Sequence, residues 1–188
     1  WTEDVVDGSV SMSDVTATAT GGTYNYGVYN ESSSPSMTNV TATGTGGTSS
    51  YGVYNWSSSP SMMNVTATGT GGTSSYGVRN SGGSSPSMMN VTATGTGGTN
   101  NFGVRNYLSS PSMTNVTATG TGGTGDNYGV YNVSSSSPSV RNSSFTGDDD
   151  SIYNSGSSSA QVADTMLDGT VTAGGGLTCV GAYDETFS

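Results

Sequence analysis

A short alternation of apolar and hydroxyl residues recurs along this chain. In Val40-Thr41-Ala42-Thr43, valine and alanine occupy every second position, with threonines between them. Alternation with period two is typical of a β-strand that buries one face. The copies, aligned on the valine, begin at Val15, Val40, Val65, Val91 and Val116 and are 25 or 26 residues apart. A repeat of this length predicts a solenoid, a propeller or another array.

Each copy holds two further strand-like segments, Tyr51-Gly52-Val53-Tyr54 and Pro60-Ser61-Met62, separated by Gly46-Gly47 and by a run of serines. Gly-Gly marks a turn, and glycine with β-branched residues disfavours a helix. Since a propeller blade needs about 40 residues or more, the copies are too short for blades. The sequence therefore predicts an all-β parallel β-helix (β-solenoid) with three short strands per coil and about six to seven coils.

Stacked coils place like residues in columns. We expect inward columns of methionine, valine, alanine, an aromatic residue and a second valine, represented in one copy by Met37, Val40, Ala42, Tyr51 and Val53. Two asparagine columns are predicted at corners, where asparagine tolerates left-handed backbone and stacked amides can pair. Their members are Asn39, Asn64, Asn90 and Asn115, with Asp14 in the same place, and Asn30, Asn55, Asn80, Asn106 and Asn132. The predicted organisation is an N-terminal cap strand (1–11), β-helix repeats (12–165) and a C-terminal cap or tail (166–188).

Charge limits the possible partners. Three arginines face 13 acidic residues, and lysine and histidine are absent, for a net charge of −10. Such a chain cannot neutralise a row of phosphates, which argues against nucleic acid. No apolar run is long enough for a membrane span. Acidity with abundant hydroxyl groups favours a secreted, extracellular or cell-surface protein.

Little in the sequence points to catalysis. Without histidine, Ser-His and Cys-His pairs and histidine metal sites are excluded, so we expect no enzyme activity and no cofactor. The best acidic cluster is Asp148, Asp149 and Asp150. We interpret it as a solvated turn, with a calcium site as a weaker alternative and hydrolytic catalysis as the weakest. The only cysteine, Cys179, is either a small buried thiol or part of an intermolecular bridge.

Two sets of outward residues are candidate contact sites. Exposed aromatic and arginine side chains are unusual on a lone soluble rod and suggest self-association or ligand contact; they are Trp56, Tyr107, Tyr54, Arg79 and Arg105. Outward threonines form files that resemble the flat Thr-x-Thr arrays of ice-binding proteins, although threonine also suits any exposed strand face. The alternative ice-binding face comprises Thr41, Thr43, Thr66, Thr68, Thr92, Thr94, Thr117 and Thr119.

The repeats of SSSPSMTNVTATGTGGT type, with MLDGTV (residues 166–171) and LTCVGAYDETF (residues 177–187), resemble a group of exported bacterial right-handed β-helix repeat proteins. The resemblance covers nearly the whole chain. It implies a right-handed parallel β-helix at a surface or outside the cell, and it implies no catalytic activity.

We expect a non-enzymatic extracellular structural protein that associates with itself into a fibre or surface layer. Open strand edges without lysine, a common protection against edge pairing, favour this hypothesis. The alternative is an ice- or polysaccharide-binding β-solenoid.

Overall fold

The computed structural model describes residues 10–183, which form a parallel β-solenoid of about six turns without a helix. In chain order the strands are β1 (Ser11–Ser13), β2 (Thr16–Thr20), β3 (Tyr24–Glu31), β4 (Ser36–Thr38), β5 (Thr41–Thr45), β6 (Ser49–Trp56), β7 (Ser61–Met63), β8 (Thr66–Thr70), β9 (Ser74–Ser81), β10 (Ser87–Thr96), β11 (Asn100–Tyr107), β12 (Ser112–Thr121), β13 (Asn127–Val133), β14 (Ser139–Arg141), β15 (Ser144–Asn154), β16 (Ala160–Ala163), β17 (Met166–Ala173) and β18 (Leu177–Val180).

These strands form three sides of the solenoid. The methionine side contains β1, β4, β7, β14, β16 and β18; the threonine side contains β2, β5 and β8; the aromatic side contains β3, β6, β9, β11 and β13. Strands β10 and β12 run from the methionine side onto the threonine side, and β15 and β17 run from the threonine side onto the aromatic side.

Each strand pairs in parallel with its counterpart one coil on, which confirms the predicted stacking. Met37 lies opposite Met62, Ala42 opposite Ala67, and Val53 opposite Val78. The methionine, alanine and both valine columns fill one core, and their central members are almost fully buried. Coils of parallel strands lie ~4.8 Å apart, so each core side chain contacts its own copies above and below.

The aromatic column was predicted to lie inward, and that prediction is wrong. Tyr51, Tyr76, Phe102 and Tyr128 form a second cluster, separate from the core. The reason is Gly52, which strand pairing skips, and whose missing Cβ would lie 2.7 Å from the carbonyl oxygen of Gly77. Gly52 and Val53 both face inward, so Tyr51 and Tyr54 both face outward. A shift of one residue in a strand moves side chains to the other face.

The two asparagine columns differ in their backbone. Asn39, Asn64, Asn90 and Asn115 have φ between 52° and 54°, as predicted for a left-handed corner. Their side chains are exposed and bond along the axis: Asn64 Nδ2 donates to Asn39 Oδ1 at 3.1 Å. The other column is buried, has no positive φ, and bonds in a continuous line from Asn30 to Asn154.

Strand stacking continues beyond the repeats. β17 pairs with β15 and β18 pairs with β16, so the ladder crosses the predicted boundary at residue 166 into the segment for which a cap was predicted. Residues 184–188 of that segment, and residues 1–9 of the predicted N-terminal cap, lie outside the described residues.

Candidate binding surfaces

The aromatic side carries two adjoining files of rings on its outer face. Neighbouring rings stack face to face along the axis: Tyr26 and Tyr51 have centroids 4.8 Å apart, and Tyr51 and Tyr76 have centroids 4.9 Å apart. The second file interleaves with the first, and Tyr54 lies 5.2 Å from Tyr51. The ring faces are thus occupied by other rings, and mainly ring edges remain for solvent.

Two arginines interrupt the second file. Arg79 and Arg105 lie directly opposite each other on β9 and β11, where the coils before and after carry Tyr54 and Tyr131. We call them the arginine pair. Arg79 Cζ lies 5.0 Å from the Tyr54 ring centroid, and Arg105 Cζ lies 5.3 Å from that of Tyr131. The two guanidinium groups therefore lean away from each other, toward opposite ends of the solenoid.

The rings supply most of the contacts of the arginine pair. Arg79 Nη1 donates a hydrogen bond to the Tyr51 hydroxyl at 3.1 Å. Tyr76 lies beneath both groups, with its centroid 5.5 Å from Arg79 Cζ and 6.0 Å from Arg105 Cζ. No acidic side chain among residues 10–183 lies within salt-bridge distance of either guanidinium.

Three large apolar side chains project from the edge of the aromatic side, and we call them the turn patch: Trp56, Tyr107 and Leu108. They are 42%, 37% and 48% exposed. Trp56 and Tyr107 both pair with Ser81, one from each side, so they stand two coils apart. Leu108 adopts φ 53° at a turn position where other coils carry Ser32, Ser57 or Ser134.

The predicted contact residues therefore fall into two groups. Trp56 and Tyr107 are exposed, whereas Tyr54, at 7% exposure, is covered by neighbouring rings, and Arg79 and Arg105 are half-buried against them. Leu108 belongs to the same surface but is absent from the predicted set. Leucine at a position filled by serine in other copies is a signal that aligning the repeats could have used.

The threonine side presents its hydroxyl-bearing residues outward, in register over five coils. Three files stack along the axis, and alanine or glycine lies between them in each strand. The files are Thr16, Thr41, Thr66, Thr92 and Thr117; Thr18, Thr43, Thr68, Thr94 and Thr119; and Thr20, Thr45, Thr70, Thr96 and Thr121. The predicted face drew only on the first two files, and the third is in register with them.

The acidic triplet lies in strand β15, so the prediction of a turn is wrong. Its carboxylates bond separate partners: Asp148 accepts from Gly122 N at 2.6 Å, Asp149 from Asn127 N at 2.8 Å, and Asp150 from Thr172 Oγ1 at 2.9 Å. Within residues 10–183, no three acidic, cysteine or histidine side chains form a group that could hold a metal ion.

Burial changes the acidity of several groups on the aromatic side. It raises the pKa of Tyr26 and of Tyr29 to about 12, with neighbouring rings or Glu31 adding to the effect. Burial also raises the pKa of Asp150, the register partner of Tyr128, against the lowering effect of the Thr172 hydrogen bond.

Cys179 is exposed on β18, so the interpretation as a buried thiol is wrong, and intermolecular bridging stays a prediction. In the described part of the chain, no helix is long and apolar enough to cross a membrane.

Comparison of the sequence with protein-family models gave no match, and neither did comparisons with curated proteins and with solved structures.

Proposed function

We propose that this chain is a non-enzymatic extracellular structural protein, a β-solenoid subunit that self-associates into a fibre or surface layer. The turn patch carries the proposal. It holds two aromatic side chains and a leucine that the fold leaves exposed. The resemblance of the repeats and tail to exported bacterial β-helix proteins supports an extracellular, bacterial setting.

Leu108 is the strongest argument that the turn patch is a contact surface. A bulky side chain in the left-handed region costs about 1–2 kcal/mol relative to the ordinary regions, and exposing leucine forgoes its burial. The equivalent turn in other coils uses serine or glycine. A contact that buries Leu108 and Trp56 in a second copy would offset both costs.

The patch alone is smaller than a stable interface, which buries about 1,200–2,000 Å² in total. Association through it is therefore weak for one pair of subunits and grows where many subunits align. This favours an extended assembly over a tight dimer.

The test is sedimentation velocity over a concentration series, followed by negative-stain microscopy of the concentrated sample. We expect concentration-dependent association, and fibres or sheets at high concentration. The triple variant Trp56→Ser, Tyr107→Ser, Leu108→Ser should stay monomeric, because serine occupies the aligned positions Ser81 and Ser57 and preserves the coil. Met63→Thr, which copies Thr38 and Thr114 at an exposed site on another side, is the matched control. Monomers at every concentration, or association unaffected by the triple change, would refute the proposal.

Ice binding is the second candidate, favoured by the threonine side alone. Its strands hold hydroxyl and methyl groups in three straight files, with spacings of ~4.8 Å between coils and about 6.6 Å along a strand. Thermal hysteresis of the purified chain tests it. Thr68→Tyr at the centre of the array should abolish the effect and Ser61→Tyr on the methionine side should not; no hysteresis in the wild type would exclude ice.

Polysaccharide binding through the exposed rings of Trp56 and Tyr107 is the remaining alternative partner. A glycan array tests it without assumptions about the sugar, and loss of any signal in Trp56→Ser would place the contact on the turn patch.

A further inference from the structure

Charge is unevenly distributed along this chain. All 13 acidic residues lie within residues 1–31 or 126–188, and residues 32–125 contain only two charged side chains, Arg79 and Arg105. A molecule with net charge −10 thus has a cationic middle. At physiological ionic strength charges are screened beyond about 8 Å, so an anion at the centre of the aromatic side meets the arginine pair before the acidic ends.

Among the described residues, the arginine pair gains its contacts from aromatic rings and not from carboxylates. Like charges directly opposite on neighbouring strands are destabilising, and the neighbouring coils avoid this cost with Tyr54 and Tyr131. Neither guanidinium has a carboxylate partner among the described residues. Departures from local rules of this kind are expected at functional sites.

Unsatisfied polar atoms are concentrated at the same place. Within residues 10–183, three buried side-chain polar atoms have no hydrogen-bond partner: Arg79 Nε, Ser81 Oγ and Arg105 Nε. Arg79 and Ser81 lie two residues apart on β9, and Arg105 is the register partner of Arg79. A buried polar atom without a partner is destabilising, so such atoms are expected to be rare. The rest of the described chain shows no comparable site.

The arginine pair is only half-buried, and its terminal nitrogens offer planar forks of donors that match a carboxylate. Tyr76 lies beneath the gap between the two groups and provides a phenolic edge. Trp56 and Tyr107 stand at the ends of the neighbouring strands, and the indole extends to the side of Gly82, where an added Cβ would lie 3.7 Å from it. The two rings lie in the column two residues beyond the arginines, about 6.6 Å away along the strands, so a ligand lying along the axis on the arginine pair would have both rings on one side of it.

We propose that the arginine pair is a binding site for carboxylate groups of an acidic polysaccharide. The forks bind the uronate carboxylates, and the exposed rings of Trp56 and Tyr107 pack against the apolar faces of adjoining sugar rings. An extended glycan suits a surface that is straight and open along the axis. This proposal narrows the polysaccharide-binding alternative to acidic glycans and does not require self-association.

The test uses polygalacturonate as the probe and isothermal titration calorimetry at low ionic strength, with dextran as the uncharged control. The double variant Arg79→Tyr, Arg105→Tyr restores the residue found in the flanking coils, so the fold is expected to be retained and the melting temperature unchanged or raised. We expect the wild type to bind polygalacturonate and not dextran, and the variant to bind about tenfold or more weakly. In about 1 M salt, wild-type affinity should fall toward that of the variant.

Three results would overturn the proposal: no binding of polygalacturonate by the wild type, equal affinity of wild type and variant, or equal binding of dextran. Poly-glutamate is a further probe. If it binds as tightly as polygalacturonate, the site is one for acidic protein and the proposal is overturned. Arg79→Lys, Arg105→Lys keeps the charge and loses the forks, so intermediate affinity is expected and wild-type affinity would contradict bidentate recognition.

Discussion

At the scale of single residues, the buried asparagine column is the feature of the solenoid that depends most on complete hydrogen bonding. Each amide donates to the next and accepts from the one before, with distances of 2.8–2.9 Å from Asn30 to Asn154. A buried polar group stabilises only while it is paired. Replacing one of these asparagines by an apolar residue, or separating two coils, is therefore expected to destabilise the solenoid.

Asn80→Ala should lower the free energy of unfolding by about 2–6 kcal/mol, because it leaves Asn106 Oδ1 buried without a partner and Asn55 Nδ2 with only the Met62 sulfur at 4.0 Å. Urea unfolding followed by circular dichroism measures the change. Asn64→Gly at the exposed left-handed corner is the control, with an expected loss within about 1 kcal/mol. Equal losses for the two variants would show that the buried column is not special.

Asp150 is expected to destabilise the solenoid when ionised. Burial raises its pKa in the folded state above the unfolded value of about 3.9, so the folded chain binds the proton more tightly. Its contribution to stability is therefore lost as pH rises from the unfolded pKa through the folded pKa. Asp150→Asn keeps an acceptor for Thr172 and removes the charge, so it should raise the melting temperature at neutral pH and have less effect near pH 3. A variant less stable than wild type at pH 7 would contradict the prediction that ionised Asp150 destabilises the solenoid.

At the scale of strands, glycines allow the threonine and aromatic sides to approach each other. An added Cβ on Gly69 would lie 2.6 Å from Tyr76 N, against backbone that cannot move aside. The first coil holds Ala19 at the aligned position, where one neighbouring coil is absent from the described residues.

Gly69→Ala is therefore expected to cost about 3 kcal/mol or more through overpacking, measured by thermal unfolding. Gly46→Ala is the matched control, because nothing lies within 4 Å of its Cβ position and only its φ of 76° is unfavourable. That change should cost about 1–2 kcal/mol. A larger loss at Gly46 than at Gly69 would contradict the close approach of the two sides.

Most strand positions could be predicted from the sequence, and the exceptions have a common cause. Val40 and Ala42 follow strict alternation and lie where it places them. Tyr51 does not, because the inward step at Gly52 depends on contact with the backbone of another coil, which local periodicity does not encode. The acidic triplet in β15 and the burial of Tyr54 likewise depend on neighbouring coils.

At the scale of the whole molecule, stacking brings residues that differ between repeats together on one surface. Replacing tyrosine by arginine in two successive copies creates a cationic site, and placing Trp56 and Tyr107 two coils apart creates the turn patch. The exposed rings could be predicted as contact residues from the sequence. Their proximity to two guanidinium groups that have no carboxylate partner among the described residues could not, because it requires the register between coils.

The stacking itself is tested most directly by a distance between spin labels at Thr18 and Thr119, introduced as cysteines in a Cys179→Ser background. These two positions lie on one file and four coils apart. Parallel stacking predicts a narrow distribution of distances near ~19 Å. A broad distribution centred at about 50–60 Å, as for a flexible chain of the same length, would contradict the solenoid and every surface built on it.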